Sequence, residues 1–438
     1  MVKRSFDLKA TALPSLLTTR QVTARSKAQV GIRPNRERLM HSLAEMAAIG
    51  LQPDGSVCRR GFSTEDVAGR ALLARWMNEA GLQVRIDTAG NLIGRLQGLD
   101  PDRPALMTGS HLDTVPTGGR FDGVLGVLAG LEVCRSLQDN RIRLQHDLEL
   151  IAFADEESTM VGCKGMAGTA PCDPKAFATS NREPIEDNLA RIGGHWPSLA
   201  SARRADDACA AFLELHVEQG GVLEQRGDAI GVVEGVVGQR RFSIQVDGQP
   251  NHAGTTPMTL RQDALVAASR IVLAVETMAR QHPGDPVATV GRLEVWPNAA
   301  NVVPGSVALT VDLRDVDSVV LDQLVAELMQ QVERIGAETG CPIQLEPQFE
   351  VEPTAAADGV MAAIVSAAEH LGLSHSHLPS RASHDAQEIG RRWPMGMIFV
   401  PSRGGLSHSA KEFTSDEQCW AGAAVLLETL QRLDRELP

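Results

Sequence analysis

The sequence predicts an α/β fold: a sheet covered by helices on both faces, interrupted by a smaller unit with its own strands and helices. Three observations carry this. From residue 36 onward, short apolar runs with strand periodicity alternate with longer runs of helical periodicity. Residues 238–349 contain a complete β-α-β-β-α-β succession, the split βαβ layout. The chain has 438 residues, 43% hydrophobic and 22% charged, enough for two or three domains with a large buried core.

The elements follow in order. Residues 1–33 carry seven Lys and Arg against the single acid Asp7, with frequent Ser and Thr, and read as a basic N-terminal arm. A transit peptide fits the same composition, whereas the lack of a continuous apolar stretch after the basic start argues against a secretory signal. Residues 38–48 have helical apolar spacing and stop before Gly50. Residues 64–81 read as a helix with Thr64 as N-cap, Asp66 in its first turn and Gly81 as its stop. Residues 82–87 and 91–95 are short alternating strands, and 105–109, 148–154, 211–215 and 397–400 are stronger ones. An apolar helix covers 124–137. In the second unit, strands at 240–246, 288–295, 307–313 and 343–346 alternate with helices at 260–280 and 319–339. The helix at 360–371 and the strand near Met397 return to the first unit. The expected organisation is therefore a discontinuous domain, 34–237 with 350–438, and an inserted one, 238–349.

Composition excludes several functions. The net charge of −13 argues against nucleic-acid or anionic-membrane partners. No apolar run approaches the ~18 residues of a membrane helix. The chain has no tyrosine, so no Tyr acts as acid or nucleophile. Its seven cysteines are scattered and form no C-x-x-C pair, which points to reduced thiols and a cytoplasmic location.

Five motifs at strand ends carry chemistry. His111 follows the strand at 105–109, where open α/β sheets bind ligands, and Asp113 is placed to accept its other ring N–H. Taken alone, a histidine after a strand is an ordinary loop residue. Asp122 precedes the apolar helix, either as its N-cap or as a carboxylate shared by two metal ions. Asp155, Glu156 and Glu157 follow the strand at 148–154; either they form a charged turn, or one glutamate is a general base and the next a metal ligand. His216 ends the strand at 211–215, and His408 follows the one near Met397. Imidazoles and carboxylates without cysteine suit Zn, Mn, Co or Ni. Two such ions close together activate water and polarise a carbonyl.

These stretches, GSHLDTVPTGGRFDG, DEES, ELHVEQG, VGQRR, NHAGTTPM, NVVPG, DLRD and SHSAKE, resemble the M20 metallopeptidase superfamily, and within it the hydantoinase/carbamoylase amidohydrolases. The resemblance runs from about residue 36 to the C-terminus. It implies an M20-like catalytic domain with a mixed sheet, and an inserted ferredoxin-like lid that serves for homodimerisation. It implies two divalent metal ions per subunit: His111 and His216 on one, Glu157 and His408 on the other, and Asp122 bridging both. Glu156 would be the general base and Asp113 would orient His111. His252, from the lid of a partner subunit, would stabilise the oxyanion, and Gln219, Asn301 and Arg314 would contact the substrate. His216 stands where peptidase members carry a carboxylate, which favours the amidohydrolase branch.

The chain departs from that pattern at Ser158, where Gly-x-Arg-Phe is usual after the paired glutamates, and at Arg381 and Ser383, which replace glycines. Both departures are expected near the substrate pocket. The expected reaction is hydrolysis of a linear C–N bond in a small anionic carbamoyl or ureido compound, an N-carbamoyl-L-amino acid first. Allantoate or ureidoglycolate is the nearest alternative. A peptidase or deacylase, a non-catalytic binding protein and an oligomeric scaffold are the remaining rivals.

Overall fold

The computed structural model describes residues 32–438. The stretch read as a basic arm, 1–33, falls almost wholly outside them. The described chain builds two main sheets. The larger contains β1 (Gln83–Ile86), β2 (Leu92–Leu96), β3 (Ala105–His111), β4 (Leu148–Phe153), β5 (Cys209–Val217) and β6 (Ile230–Val236). The smaller contains β7 (Gly238–Asp247), β9 (Val287–Trp296), β11 (Ser306–Asp315) and β12 (Ile343–Val351), and beside it β8 (Asn251–His252) pairs with β10 (Val302–Val303). The chain then returns to the larger sheet with β13 (Thr354–Ala355), β14 (His375–Ser380) and β15 (Met395–Val400).

The larger sheet has the order β1-β2-β4-β3-β5-β15-β6-β13, with β14 also on β6. Its centre, β4-β3-β5-β15, is parallel, while β1, β2 and the β15–β6 pair are antiparallel, so the sheet is mixed. β3, β4 and β15 are buried at every position, as continuous apolar strands must be when helices cover both faces. The helix Val124–Asp139 lies on this centre and buries nearly all its residues. It packs closely because Gly126 faces the Leu215 carbonyl, where a Cβ would stand 2.2 Å away.

The smaller sheet has the order β12-β7-β11-β9, all antiparallel. With the helices Ala264–Gln281 and Ser318–Thr339, it follows the β-α-β-β-α-β order read from the sequence. Alternate residues of β7 and β11, such as Ile244, Val246, Leu309 and Val311, face these helices and form a separate core.

Several boundaries differ from the sequence reading. Ser63, not Thr64, is the N-cap of Thr64–Glu79, accepting from the Asp66 amide. The long helix expected from residue 260 starts at Ala264, because the Asp263 carboxylate caps the Leu265 and Val266 amides. β12 runs on to Val351 through an irregularity at Pro347. β6, β14 and the C-terminal helix Asp416–Glu436 were not singled out. β6 contains Gly231 and Gly235, which weaken a strand signal and allow close packing on Phe399 and Ala355.

Candidate active site

The parallel strands deliver their C-terminal ends to one place. His111 is the last residue of β3 and pairs in register with Phe153, which ends β4 just before Asp155-Glu156-Glu157. His216 lies near the end of β5, in register with Phe399 of β15, whose following loop carries His408. Gly123 begins the helix Val124–Asp139 with φ of 66°. A Cβ there would strike the His111 ring at 2.4 Å, so only glycine lets this turn close over the imidazole. Gly123, not Asp122, occupies the cap position, and no side chain caps this helix. Asp122 is thus free to face inward.

Its two oxygens point to two groups. Oδ1 lies 3.1 Å from His216 Nε2 and 3.7 Å from His111 Nε2. Oδ2 lies 3.3 Å from His408 Nε2, which is itself 3.6 Å from Glu157 Oε1. His111, Asp122 and His216 form one set of donors able to hold a metal ion; Asp122, Glu157 and His408 form another. The shared residue is Asp122. Glu156 reaches the first set, with Oε2 3.6 Å from His111 Nε2. The imidazoles of His111 and His216 present Nε2 because Nδ1 of each is bonded to a main-chain carbonyl, Asp113 O at 2.9 Å and Val217 O at 2.8 Å.

Electrostatics mark the same place. Burial, then repulsion from Asp122, pushes Glu157 up to about 8. Burial, then Glu157, raises Glu156 well above the usual carboxylate range. Burial also opposes ionisation of Asp122, but hydrogen bonding with His216 and His408 outweighs it and holds that carboxyl well below its usual range. So many buried acids around one point are relieved by cations among them. The donors, three histidines and two carboxylates with no thiolate, suit borderline divalent ions.

The expected roles divide. Asp113 does not orient His111 through its carboxylate, which is 3.8 Å from Nδ1; its own main-chain oxygen does that. The carboxylate instead accepts the Glu156 and Glu157 amides at 3.3 and 3.1 Å, fixing the turn that aims both glutamates. Asp155, with φ of 54°, turns aside to bond Thr159. Gln219 donates to Asp122 Oδ2 at 2.9 Å and so sits at the site. His252 and Asn301 are not brought to the metal donors: both are exposed, held together by an Ala253 N–H to Asn301 O bond of 2.9 Å. Arg314 is bonded to Asp312 Oδ1 at 2.8 Å and to the Arg381 carbonyl at 3.0 Å.

Of the departures, Ser158 is exposed and donates to Ala178 O. Arg381 does not line the metal donors; it reaches Asp285, just before β9. Ser383 is exposed beside His384, whose ring lies 4.5 Å from that of His216.

Sequence reasoning passed over a supporting layer. Glu214, two residues before His216 on the same face of β5, accepts Ser110 Oγ at 2.7 Å and the Ala386 amide at 2.9 Å. Glu412 accepts the Phe121 and Asp122 amides at 2.8 and 3.2 Å, and Ser407 bonds both Glu412 and Asp122. Arg59, fully buried, donates to Leu112 O at 2.8 Å. The period-2 spacing of Glu214 and His216, and the place of Ser407 and Glu412 within SHSAKE, were the legible signals.

Comparison with known proteins agrees with this architecture. Residues 107–432 match the peptidase family M20/M25/M40. The chain is 40% identical over 404 residues to an N-carbamoyl-L-amino acid amidohydrolase of Geobacillus stearothermophilus, covering 91% of this chain and 98% of that one. It is 35% identical over 394 residues to an allantoate amidohydrolase of Bacillus subtilis (strain 168), covering 89% and 95%. The crystal structure of an amidase of the hydantoinase/carbamoylase family from Burkholderia multivorans aligns with a TM-score of 0.87 at 40% identity, over 93% of this chain and all of that one.

Proposed function

Because the chain belongs to the peptidase family M20/M25/M40, and within it to the hydantoinase/carbamoylase amidases, we propose that it hydrolyses N-carbamoyl-L-amino acids to the amino acid, ammonia and carbon dioxide. It is a hydrolase of linear, non-peptide amide C–N bonds. The observation that carries the mechanism is the pair of donor sets sharing Asp122.

His111 and His216 would hold one divalent ion, Glu157 and His408 the second, with Asp122 between them. Such ions, Zn, Mn, Co or Ni, supply Lewis acidity to the carbamoyl carbonyl and acidity to the attacking water. Glu156 takes the proton from that water as it attacks the carbamoyl carbon. The bond from that carbon to the amino-acid nitrogen breaks, and Glu156 passes the proton to this nitrogen. The remaining carbamate falls to ammonia and carbon dioxide. Burial favours the protonated form of Glu156, which suits a group that must hold and return a proton. Asp113 keeps the glutamate turn aimed.

His252 would steady the oxyanion. Its Nδ1 accepts the Gly254 amide at 3.0 Å, which leaves the proton on Nε2, ready to donate. Arg314 would receive the substrate carboxylate beside Asn301, with Gln219 approaching from the larger sheet. Residues 238–349 would act as an inserted ferredoxin-like lid and dimerisation domain, and the rest as the catalytic domain. Support for a homodimer comes from β9, an edge strand with Leu293 and Trp296 exposed, and from His252 joining none of the donor sets of its own chain. A cytoplasmic location is supported by seven free cysteines among the described residues. No helix among those residues is long and apolar enough to cross a membrane.

The similarity to an allantoate amidohydrolase supports a second reading, with allantoate or ureidoglycolate as substrate. Ammonia release over a panel separates the two: N-carbamoyl-L-amino acids, their D forms, N-carbamoyl-β-alanine, allantoate and an N-acetyl amino acid. The proposal expects an N-carbamoyl-L-amino acid to stand out. Preference for allantoate moves the assignment to the second reading, and turnover of the N-acetyl compound alone overturns both.

A further inference from the structure

Outside the metal donors, a cavity of about 450 Å³ lies between the end of the helix Arg36–Ala48, the Gly119-Arg120 turn and residues 410–413. None of the donors His111, Asp122, Glu157, His216 or His408 lines it. Arg120, Arg403 and Lys411 do, and among the described residues none of the three makes an ion pair. Three cations without an ion pair among the described residues, gathered around one cavity, stand out in a chain of net charge −13. The acid in the wall, Glu412, makes no ion pair with them among the described residues; its oxygens accept the Phe121 and Asp122 amides and Ser407. The rest of the wall includes Ala47, Leu51 and Val57, and Leu51 is 58% exposed.

We propose that this cavity binds a small aliphatic carboxylate and transmits its occupancy to the loops that carry Asp122 and His408. A guanidinium fork matches both oxygens of a carboxylate, and two forks with an ammonium favour an anion over a neutral molecule. The apolar wall accepts a short hydrocarbon chain. The route to the loops is short. The Arg120 guanidinium lies 5.0 Å from the centre of the Phe121 ring, and that of Arg403 lies 4.1 Å from the Phe413 ring. The two rings meet edge to face at 6.3 Å. Phe121 adjoins Asp122 in the chain, and both donate to Glu412, four residues after His408. A ligand that draws Arg120 and Arg403 together therefore loads both loops at once.

Titration calorimetry of the metal-loaded full chain, with pentanoate as probe and phosphate and pentan-1-ol as controls, tests this. Pentanoate binds saturably, and each control binds at least about tenfold more weakly. The Arg120→Ala/Arg403→Ala variant weakens pentanoate by about tenfold or more, and pentanoate changes the rate at fixed substrate in the parent but not in this variant. A carboxylate bound at the metal ions instead would keep its affinity in the variant, which overturns the proposal. So does the absence of saturable binding at about 10 mM, or an unchanged rate in the parent. Should the double variant melt early, Arg403→Gln carries the same expectation, and unchanged affinity there is equally contrary. Binding is read apart from turnover, so failure here is distinct from failure of the substrate assignment.

Discussion

His111, Asp122 and His216 are buried and each is gripped by its own chain, whereas His252 and Asn301 stand in solvent beside the smaller sheet. The first region is a finished constellation: Asp113, Gln219 and Glu412 bond the turns and side chains that carry its donors. The second is tied only within the smaller unit, by Gly254 N–H to His252, Ala253 N–H to Asn301 and the β8–β10 pairing, and it joins no donor set among the described residues. One chain therefore gathers the donor sets on its own, while His252 and Asn301 belong to none of them. Under the proposed function, this is the difference that a lid brought to a binuclear centre would need.

The largest effect tests the first region. Glu156→Ala lowers turnover by about 10³-fold or more while metal content is kept; retained turnover would refute its role as base. The second region is tested by His252→Ala, with a loss of about 10²-fold in kcat. Mixing Glu156→Ala and His252→Ala protomers then sharpens the comparison. If His252 acts across a dimer, mixed dimers contain one intact site and activity returns; if it acts within its own chain, mixing restores nothing. A sedimentation mass of a single chain at micromolar protein would break the second half of the comparison outright.

Smaller effects follow from the supporting residues. Glu412→Gln keeps the shape but weakens the acceptor of the Phe121 and Asp122 amides, so metal affinity falls by about 10- to 100-fold as read by competition with a chelator. Unchanged affinity would make Glu412 a bystander. The smallest concerns Arg381, which joins Asp285 across an exposed pair. Arg381→Gly removes a contact worth about 1 kcal/mol or less, so melting shifts little, and any change belongs in KM.

Much of the first region was legible in the sequence, because strand ends are legible. β3, β4, β5 and β15 are short apolar runs, and the His, Asp and Glu that follow them are conspicuous. What could not be read is what depends on distant pairing. That the Asp113 carboxylate holds the glutamate turn, leaving His111 to the Asp113 main-chain oxygen, follows from the β3–β4 register, with Asp113 and Glu156 43 residues apart along the chain. Arg381 bonds a residue 96 positions away, so its place between the two sheets left no local trace. β6 and β14 lack a clear strand signal for a similar reason: β6 is diluted by Gly231 and Gly235, and β14 combines its one branched aliphatic residue, Leu378, with Pro379 and four polar residues. His252 and Asn301 were legible within NHAGTTPM and NVVPG, but that they join no donor set of their own chain was not.

Asp122 joins two donor sets, and a count of bound ions reads that junction. Metal analysis of the purified, reconstituted chain should give two divalent ions in the parent. The His408→Ala variant should keep the ion held by His111 and His216, and Asp122→Ala should bind both weakly. Two ions retained tightly in Asp122→Ala, or only one in the parent under saturating metal, would contradict the account.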